Sequence, residues 1–405
     1  MARIYTVHPP LTSQSYSVTV DDSIISLPRM LVSTGRPPIS SSRRDYPRIR
    51  TSPRSALTTM AAASSSSTGL LVLSSPDAPE LALLQTALPP SFKVIGVGRT
   101  MEDFATLTHD DWAGVNVLLN CGILKNAAKR DQIEAVWDML PNLKWMHLAS
   151  AGIEHVVFPR LIESEVILTN ARGCFSHSLA EFCLFGCKYF ALDFPRLQRA
   201  KAACSWDPYE VDELRNKTMA VIGFGDIGKS CATLGRAFRM KIAGYKRRKE
   251  EAGGPGSSQT GGHEADEMYY GPQGLLEMVQ RADYVVVSLP HTPETEKLVS
   301  RTVIAAMKPT AVLVNVGRGK TVDEEALVEV LEARKIRGAA LDVFATEPLP
   351  ENSPLWRLDN VMMSPHCADR TSTFQFDAIQ LFLDNARRWE SQDTLLNVVD
   401  KKGGY

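Results

Sequence analysis

With 405 residues, 44% of them hydrophobic, and a formal charge of −1, the chain can bury two cores and carries no global attraction for nucleic acid or a membrane surface. No apolar run approaches the roughly 18 residues that a membrane span needs. Seven cysteines, an odd number with no Cys-x-x-Cys pair, indicate free thiols in a reducing compartment rather than a disulfide framework or a zinc site.

Residues 1–65 read as a disordered transit peptide. They hold eight arginines, no lysine and only Asp21, Asp22 and Asp45 as acids, and they end in a serine-rich run before Thr68. The segment therefore carries +5, which leaves −6 on the remainder of a chain whose total is −1. Its serine content, and the lack of an arginine-bearing amphipathic helix near Met1, favour a plastid address over a mitochondrial one. An unaddressed tail, or a true start at Met60, is the plainer alternative.

From Gly69 the pattern alternates between strand and helix. Short apolar runs at 70–73, 92–97, 115–119, 143–148 and 166–169 predict strands, with helical spacing at 78–88 and 131–140 between them. A second series of strands is expected at 218–222, 241–245, 284–289, 311–316, 338–343 and 361–364, and one amphipathic helix at 373–390. Residues 249–267, rich in Gly, Ser and acids, read as a surface insertion. The expected class is α/β, with two Rossmann-like or flavodoxin-like domains built on doubly wound parallel sheets.

The strand at 218–222 runs into Gly223, Phe224, Gly225, Asp226, Ile227 and Gly228, a Gly-x-Gly-x-x-Gly turn followed by a helix-compatible segment at 229–240. Such a turn places backbone amides and a helix N-terminus against a dinucleotide pyrophosphate. NAD sites of this kind carry an acid just after the second strand. Here Lys246, Arg247 and Arg248 follow Tyr245, and a basic trio suits the 2′-phosphate of NADPH, with NADH as the lesser option. Solvated charges on a turn, with Glu250 and Glu251 still facing a ribose, are the competing explanation.

Further motifs are Ser150–Gly152 (SAG), Leu289–Thr295 (LPHTPET), Val314–Asp323 (VNVGRGKTVD), Leu341–Pro348 (LDVFATEP) and Ser364–His366 (SPH). Together with the glycine turn, in this order and approximate spacing, they resemble the D-isomer-specific 2-hydroxyacid dehydrogenase family over residues 69 to about 399. The resemblance implies a nucleotide domain at 173–368 inserted into a substrate domain at 66–172 and 369–405, and a homodimer. It also implies Arg318, Glu347 and His366 as the catalytic set. Ser150, Ala151 and Gly152 would join Arg318 at the substrate, and Leu289, Pro290, Val316, Gly317, Asp342 and His366 would line the cofactor.

Those residue types suit a keto-acid reduction. Histidine can give a proton to the carbonyl oxygen near neutral pH, a carboxylate on its other nitrogen orients the ring, and an arginine fork fits the substrate carboxylate. Backbone amides of the glycine loop can hold the same carboxylate. Taken singly, each residue is more often a solvated charge, a turn or a packed loop. Asp342 is either a cofactor contact or a satisfied buried acid, and His147, His155, His177 and His291 read as ordinary residues. Glyoxylate or hydroxypyruvate is the expected substrate. A D-3-phosphoglycerate dehydrogenase-like activity, or a dinucleotide-sensing corepressor on the same scaffold, are the alternatives. The short stretch beyond the last helix leaves no room for the regulatory domain of many phosphoglycerate dehydrogenases. Two departures from the family pattern stand out: Gly317 where a serine is frequent, and Asp369 with Arg370 where small residues are usual.

Overall fold

The computed structural model describes residues 67–121, 128–247 and 265–403. The N-terminal segment 1–65, Arg248, Glu250, Glu251 and most of the Gly/Ser-rich insertion lie outside the described residues.

Two parallel sheets organise the chain, and both have strands that are apolar on both faces, as expected where helices cover each side. The first contains β1 (Thr68–Leu73), β2 (Phe92–Gly98), β3 (Val115–Asn120), β4 (Trp145–Leu148) and β5 (Ile167–Asn170), in the order β2-β1-β3-β4-β5. Its helices are α1 (Leu81–Ala87), α2 (His109–Ala113), α3 (Arg130–Trp137) and α4 (Pro159–Glu163). Alternation along β1 sends Leu71 and Leu73 into one core and Leu70 and Val72 into the other.

Helices α5 (Ser176–Ala191) and α6 (Phe194–Ala202) follow. The second sheet contains β6 (Thr218–Ile222), β7 (Lys241–Lys246), β8 (Glu267–Tyr270), β9 (Tyr284–Val287), β10 (Val312–Asn315), β11 (Gly338–Leu341) and β12 (Val361–Met363). Their order is β12-β11-β10-β9-β6-β7-β8, so the strand order reverses between β6 and β9. Its helices are α7 (Asp226–Ala237), α8 (Gly271–Arg281), α9 (Arg301–Ala305) and α10 (Glu324–Glu332). Six strands are expected here and seven form. The extra one, β8, pairs with β7 and begins at the last residue of the expected insertion. Its residues are no more than half-buried, so an edge strand of this kind leaves no apolar run to read.

The final helix, α11 (Phe374–Glu390), returns to the first sheet, where Ile379, Phe382, Leu383 and Ala386 pack with Leu70, Val72 and Trp145. Phe382 stacks on Trp145 with centroids 5.2 Å apart. The tail beyond it is tied down as well: Val398 bridges Thr169, and the Asn397 amide donates to the carbonyl of Asn170. The chain thus crosses between the sheets twice, before α5 and before α11. The two crossings touch through Phe175 and Phe374, at 4.6 Å between centroids. All seven cysteines are free.

Candidate active site

The glycine turn stands at the point where the second sheet reverses its strand order, outside the carboxyl ends of its strands, the place where such sheets bind ligands. Gly223 has φ of 97°, a left-handed conformation that a side chain would strain. Gly228 lets α7 close on the strand, since a Cβ there would lie 2.7 Å from the Gly223 oxygen. Above Gly225 a Cβ would meet no protein atom within 4 Å, so this backbone is open to a ligand. Asp226 begins α7 and lies 3.5 Å from Arg172.

Amides of Gly223 and Phe224 both donate to the Tyr245 carbonyl, at 3.2 and 3.3 Å, which sets the end of β7 against the turn. Lys246 and Arg247 follow there directly. Arg247 lies 3.6 Å from Glu294, an acid from the loop after β9. On the far side, the Ser288 hydroxyl donates to the Gly223 oxygen at 2.8 Å, and Leu289 and Pro290 continue that loop. Val316 is buried, its amide donating to Val287 at 3.0 Å. Gly317 packs on the Leu289 backbone, where a Cβ would come within 2.5 Å of the Leu289 oxygen. That contact leaves no room for the serine that the family pattern expects.

At the carboxyl ends of β10, β11 and β12 the three expected reactive residues come together. His366 Nδ1 lies 2.7 Å from Glu347 Oε2, and the other oxygen of Glu347 accepts from the Phe344 amide at 3.0 Å. The hydrogen bond to Glu347 raises the His366 pKa above the usual histidine value, against the opposing effect of burial. Burial pushes Glu347 up, but the bonds from His366 and Phe344 outweigh it and its pKa is lowered. An ionised Glu347 accepts from Nδ1–H, so Nε2 is the ring nitrogen left for chemistry. The Glu347–Pro348 peptide is cis.

Asp342 fixes the turn that carries the histidine. It is 1% exposed, and its Oδ1 accepts from the Ser364 hydroxyl at 2.6 Å and from the Cys367 and Ala368 amides at 2.9 and 3.1 Å. These bonds all fall on Oδ1, as in a buried structural acid, and do not bear on the expected cofactor contact.

Arg318 reaches across to the loop after β4. Its Nε lies 3.2 Å from Glu154 Oε1, and its Nη1 donates to the Gly317 oxygen at 2.9 Å. A Cβ on Gly152 would fall 2.0 Å from Arg318 Nη2, so only glycine lets the guanidinium lie on this backbone. The loop is shaped by the Ser150 hydroxyl, which donates to the Gly152 oxygen at 2.9 Å, and by the Asn170 amide, which donates to the Ala151 oxygen at 2.7 Å. Burial raises the Glu154 pKa, yet Arg318 more than offsets that and lowers it. Glu154 is the site residue that sequence reasoning missed. An acid two residues beyond a glycine loop expected to hold an anion was the available signal.

The remaining histidines are scattered. His147 is fully buried beside Thr169, 2.7 Å away, and burial depresses its pKa to about 3. His177 pairs with Glu181 on the surface at 3.1 Å, and His291 stands 3.6 Å from Glu296. His155 borders the Arg318–Glu154 pair, and burial lowers its pKa. Among the described residues no group of three or more His, Cys, Asp or Glu could hold a metal ion.

A doubly wound sheet with this glycine turn, facing a His–Glu pair and an arginine at its strand ends, defines a nicotinamide-dependent oxidoreductase. The sequence model described as "D-isomer specific 2-hydroxyacid dehydrogenase, NAD binding domain" matches residues 190–368. Glyoxylate reductase of Thermofilum pendens is 34% identical over 251 residues, covering 60% of this chain and 70% of the relative. D-3-phosphoglycerate dehydrogenase of Methanocaldococcus jannaschii is 33% identical over 275 residues, 67% of this chain, and the match spans about half of that relative's length, 49%. A crystal structure of a D-isomer specific 2-hydroxyacid dehydrogenase from Xanthobacter autotrophicus, in complex with NADPH and MES, superposes with a TM-score of 0.68. It is 28% identical and covers 84% of this chain and 100% of its own. The chain belongs to the D-isomer specific 2-hydroxyacid dehydrogenase family and is an NAD(P)-dependent enzyme of that class.

Proposed function

We propose that the protein reduces a small 2-keto acid of the glyoxylate or hydroxypyruvate type to the D-2-hydroxy acid, with NADPH preferred over NADH. The observation that carries this reading is the convergence of His366, Glu347 and Arg318 beside the Gly152 loop, at the strand ends next to the glycine turn. The open backbone at Gly225 and the N-terminus of α7 fit a dinucleotide pyrophosphate. A bound nicotinamide dinucleotide supplies the hydride.

His366 holds at Nε2 the proton that the carbonyl oxygen takes, and Glu347 keeps the ring oriented and favours its charged form. Arg318 binds the substrate carboxylate and polarises the keto oxygen. The amides of Ser150, Ala151 and Gly152 donate no hydrogen bond among the described residues, which suits them to the same carboxylate.

NADPH is favoured because Lys246 and Arg247 stand where NAD sites place an acid, and because the Xanthobacter relative was solved with NADPH. A 2′-phosphate would take the place of Glu294 on Arg247. A homodimer is part of this proposal, since Trp206 is 97% exposed and Phe185 and Val211 are exposed with it. So is import into a plastid.

The test is a panel of 2-keto acids, each with NADPH and NADH, followed by loss of reduced-cofactor absorbance. NADPH is expected to exceed NADH in kcat/KM by about tenfold or more, as one or two charge-assisted hydrogen bonds of about 1.5–3 kcal/mol each allow. Arg247→Ala with Arg248→Ala is expected to erase most of that gap. A preference for NADH in the unmutated protein would overturn the cofactor reading, and no turnover of any keto acid would overturn the activity.

A further inference from the structure

The donors of Arg318 are already engaged. Its Nε lies 3.2 Å from Glu154 Oε1, and its Nη1 donates to the Gly317 oxygen at 2.9 Å. A guanidinium presents Nε and Nη2 side by side along one edge, and a carboxylate grips such an edge with both oxygens. Glu154 stands on that edge. Its second oxygen points the same way: a Cβ built on Gly152 would fall 2.0 Å from Arg318 Nη2 and 2.6 Å from Glu154 Oε2, so both atoms crowd the bare Cα of Gly152. The amides of Ser150, Ala151 and Gly152, which donate no hydrogen bond among the described residues, belong to this loop. The carboxylate of Glu154 thus occupies the place that the reading above gives to the carboxylate of the substrate.

Two anions cannot share one edge of a guanidinium, so one must yield. Burial raises the Glu154 pKa and Arg318 more than offsets it, which keeps the acid ionised near neutral pH. Both side chains are 33% exposed, so Glu154 has solvent to swing into. Ion pairs as exposed as this one are weak, and a ligand that makes further contacts can displace them. Displacement still lowers the apparent affinity, by the fraction of molecules in which Arg318 is free.

We infer that Glu154 is an internal stand-in for the substrate carboxylate, holding Arg318 in place until a 2-keto acid displaces it and thereby setting the affinity for that acid. Glu154 is a positioning residue that acts through Arg318. The inference rests on the keto-acid reductase reading above and adds to it a competitor built into the chain.

The experiment measures KM and kcat for glyoxylate and hydroxypyruvate with NADPH, and the inhibition constant of acetate against them, in the full chain and in Glu154→Gln. The amide keeps an acceptor for Arg318 Nε and removes the competing charge. KM for both keto acids is expected to fall by about two- to fivefold, the span that exposed ion pairs allow, while kcat and the KM for NADPH stay near their original values. The acetate constant should fall by a similar factor, and it reads the same competition without turnover. A residue that only braced Arg318 would give the opposite result, a KM that rises. An unchanged or raised KM in an active Gln variant therefore overturns the inference. If the Gln variant does not fold, Glu154→Ser takes its place. Failure of the unmutated protein to reduce any keto acid overturns the reductase reading itself, an outcome distinct from an unchanged KM in a working enzyme.

Discussion

His366 stands in a left-handed backbone position, φ 50°, which non-glycine residues seldom adopt and which the hydrogen bond from its amide to the Asp342 carbonyl oxygen helps to hold. Its raised pKa gives a prediction with a definite sign. Reduction needs the protonated ring, so kcat/KM falls as pH rises through the folded-state pKa, with a midpoint above the ordinary histidine value of about 6.5. Glu347→Gln removes the main cause of the shift, and the alkaline limb should move to lower pH. His366→Ala should lower turnover by about 10²- to 10⁴-fold while leaving cofactor affinity near its original value. Paired pH–rate profiles check this; a limb that stays in place in the Gln variant would show that Glu347 does not tune the ring. The convergence of Arg318, Glu347 and His366 was legible because each follows a strand in a motif that carries the family resemblance. Glu154 was not, because its partner comes from another sheet and no local pattern records a tertiary ion pair. The same holds for Arg247, whose contact with Glu294 depends on how the loop after β9 folds back.

Among the elements, α11 shows how a helix at one end of the chain completes a core at the other. Its apolar stripe was readable from spacing, while its partner strands were not, since periodicity gives the face and not what the face meets. Phe382 is fully buried and stacks on Trp145, whose indole N–H donates to the Thr169 hydroxyl at 2.8 Å. Truncation there would leave a cavity that the surrounding β1, β3 and β4 side chains cannot fill. Phe382→Ala should therefore destabilise the protein by about 3–5 kcal/mol. The check is denaturant unfolding, read as a lower midpoint at unchanged slope; a loss below about 1 kcal/mol would show that α11 contributes little to this core.

For the whole molecule, the N-terminal segment makes the clearest claim. If it is an address, native protein begins between Thr58 and Gly69, and recombinant protein lacking residues 1–60 folds and retains full kcat/KM. Terminal sequencing of the native protein decides it, and residues 1–60 found intact there would refute the reading. Two α/β units were evident from the two runs of strands, because each run is apolar on both faces and broken by helical spacing. The strand order within each sheet, and the pairing of the tail with β5 in particular, depend on contacts between distant segments and were not evident; the resemblance implied only that residues 369–405 join the first domain.

Phe175 and Phe374 bring the two crossings of the chain side by side. Two adjacent crossings of the backbone would let one body turn on the other as a book does on its spine, with the Arg318–Glu154 contact at the opposite edge. Hinges of this kind absorb the motion in a few residues while the packed parts move as units. Opening would part Arg318 from the Gly152 loop, and shutting would press them together over whatever lies between. If Arg318 binds the substrate carboxylate as proposed, it would then double as the latch.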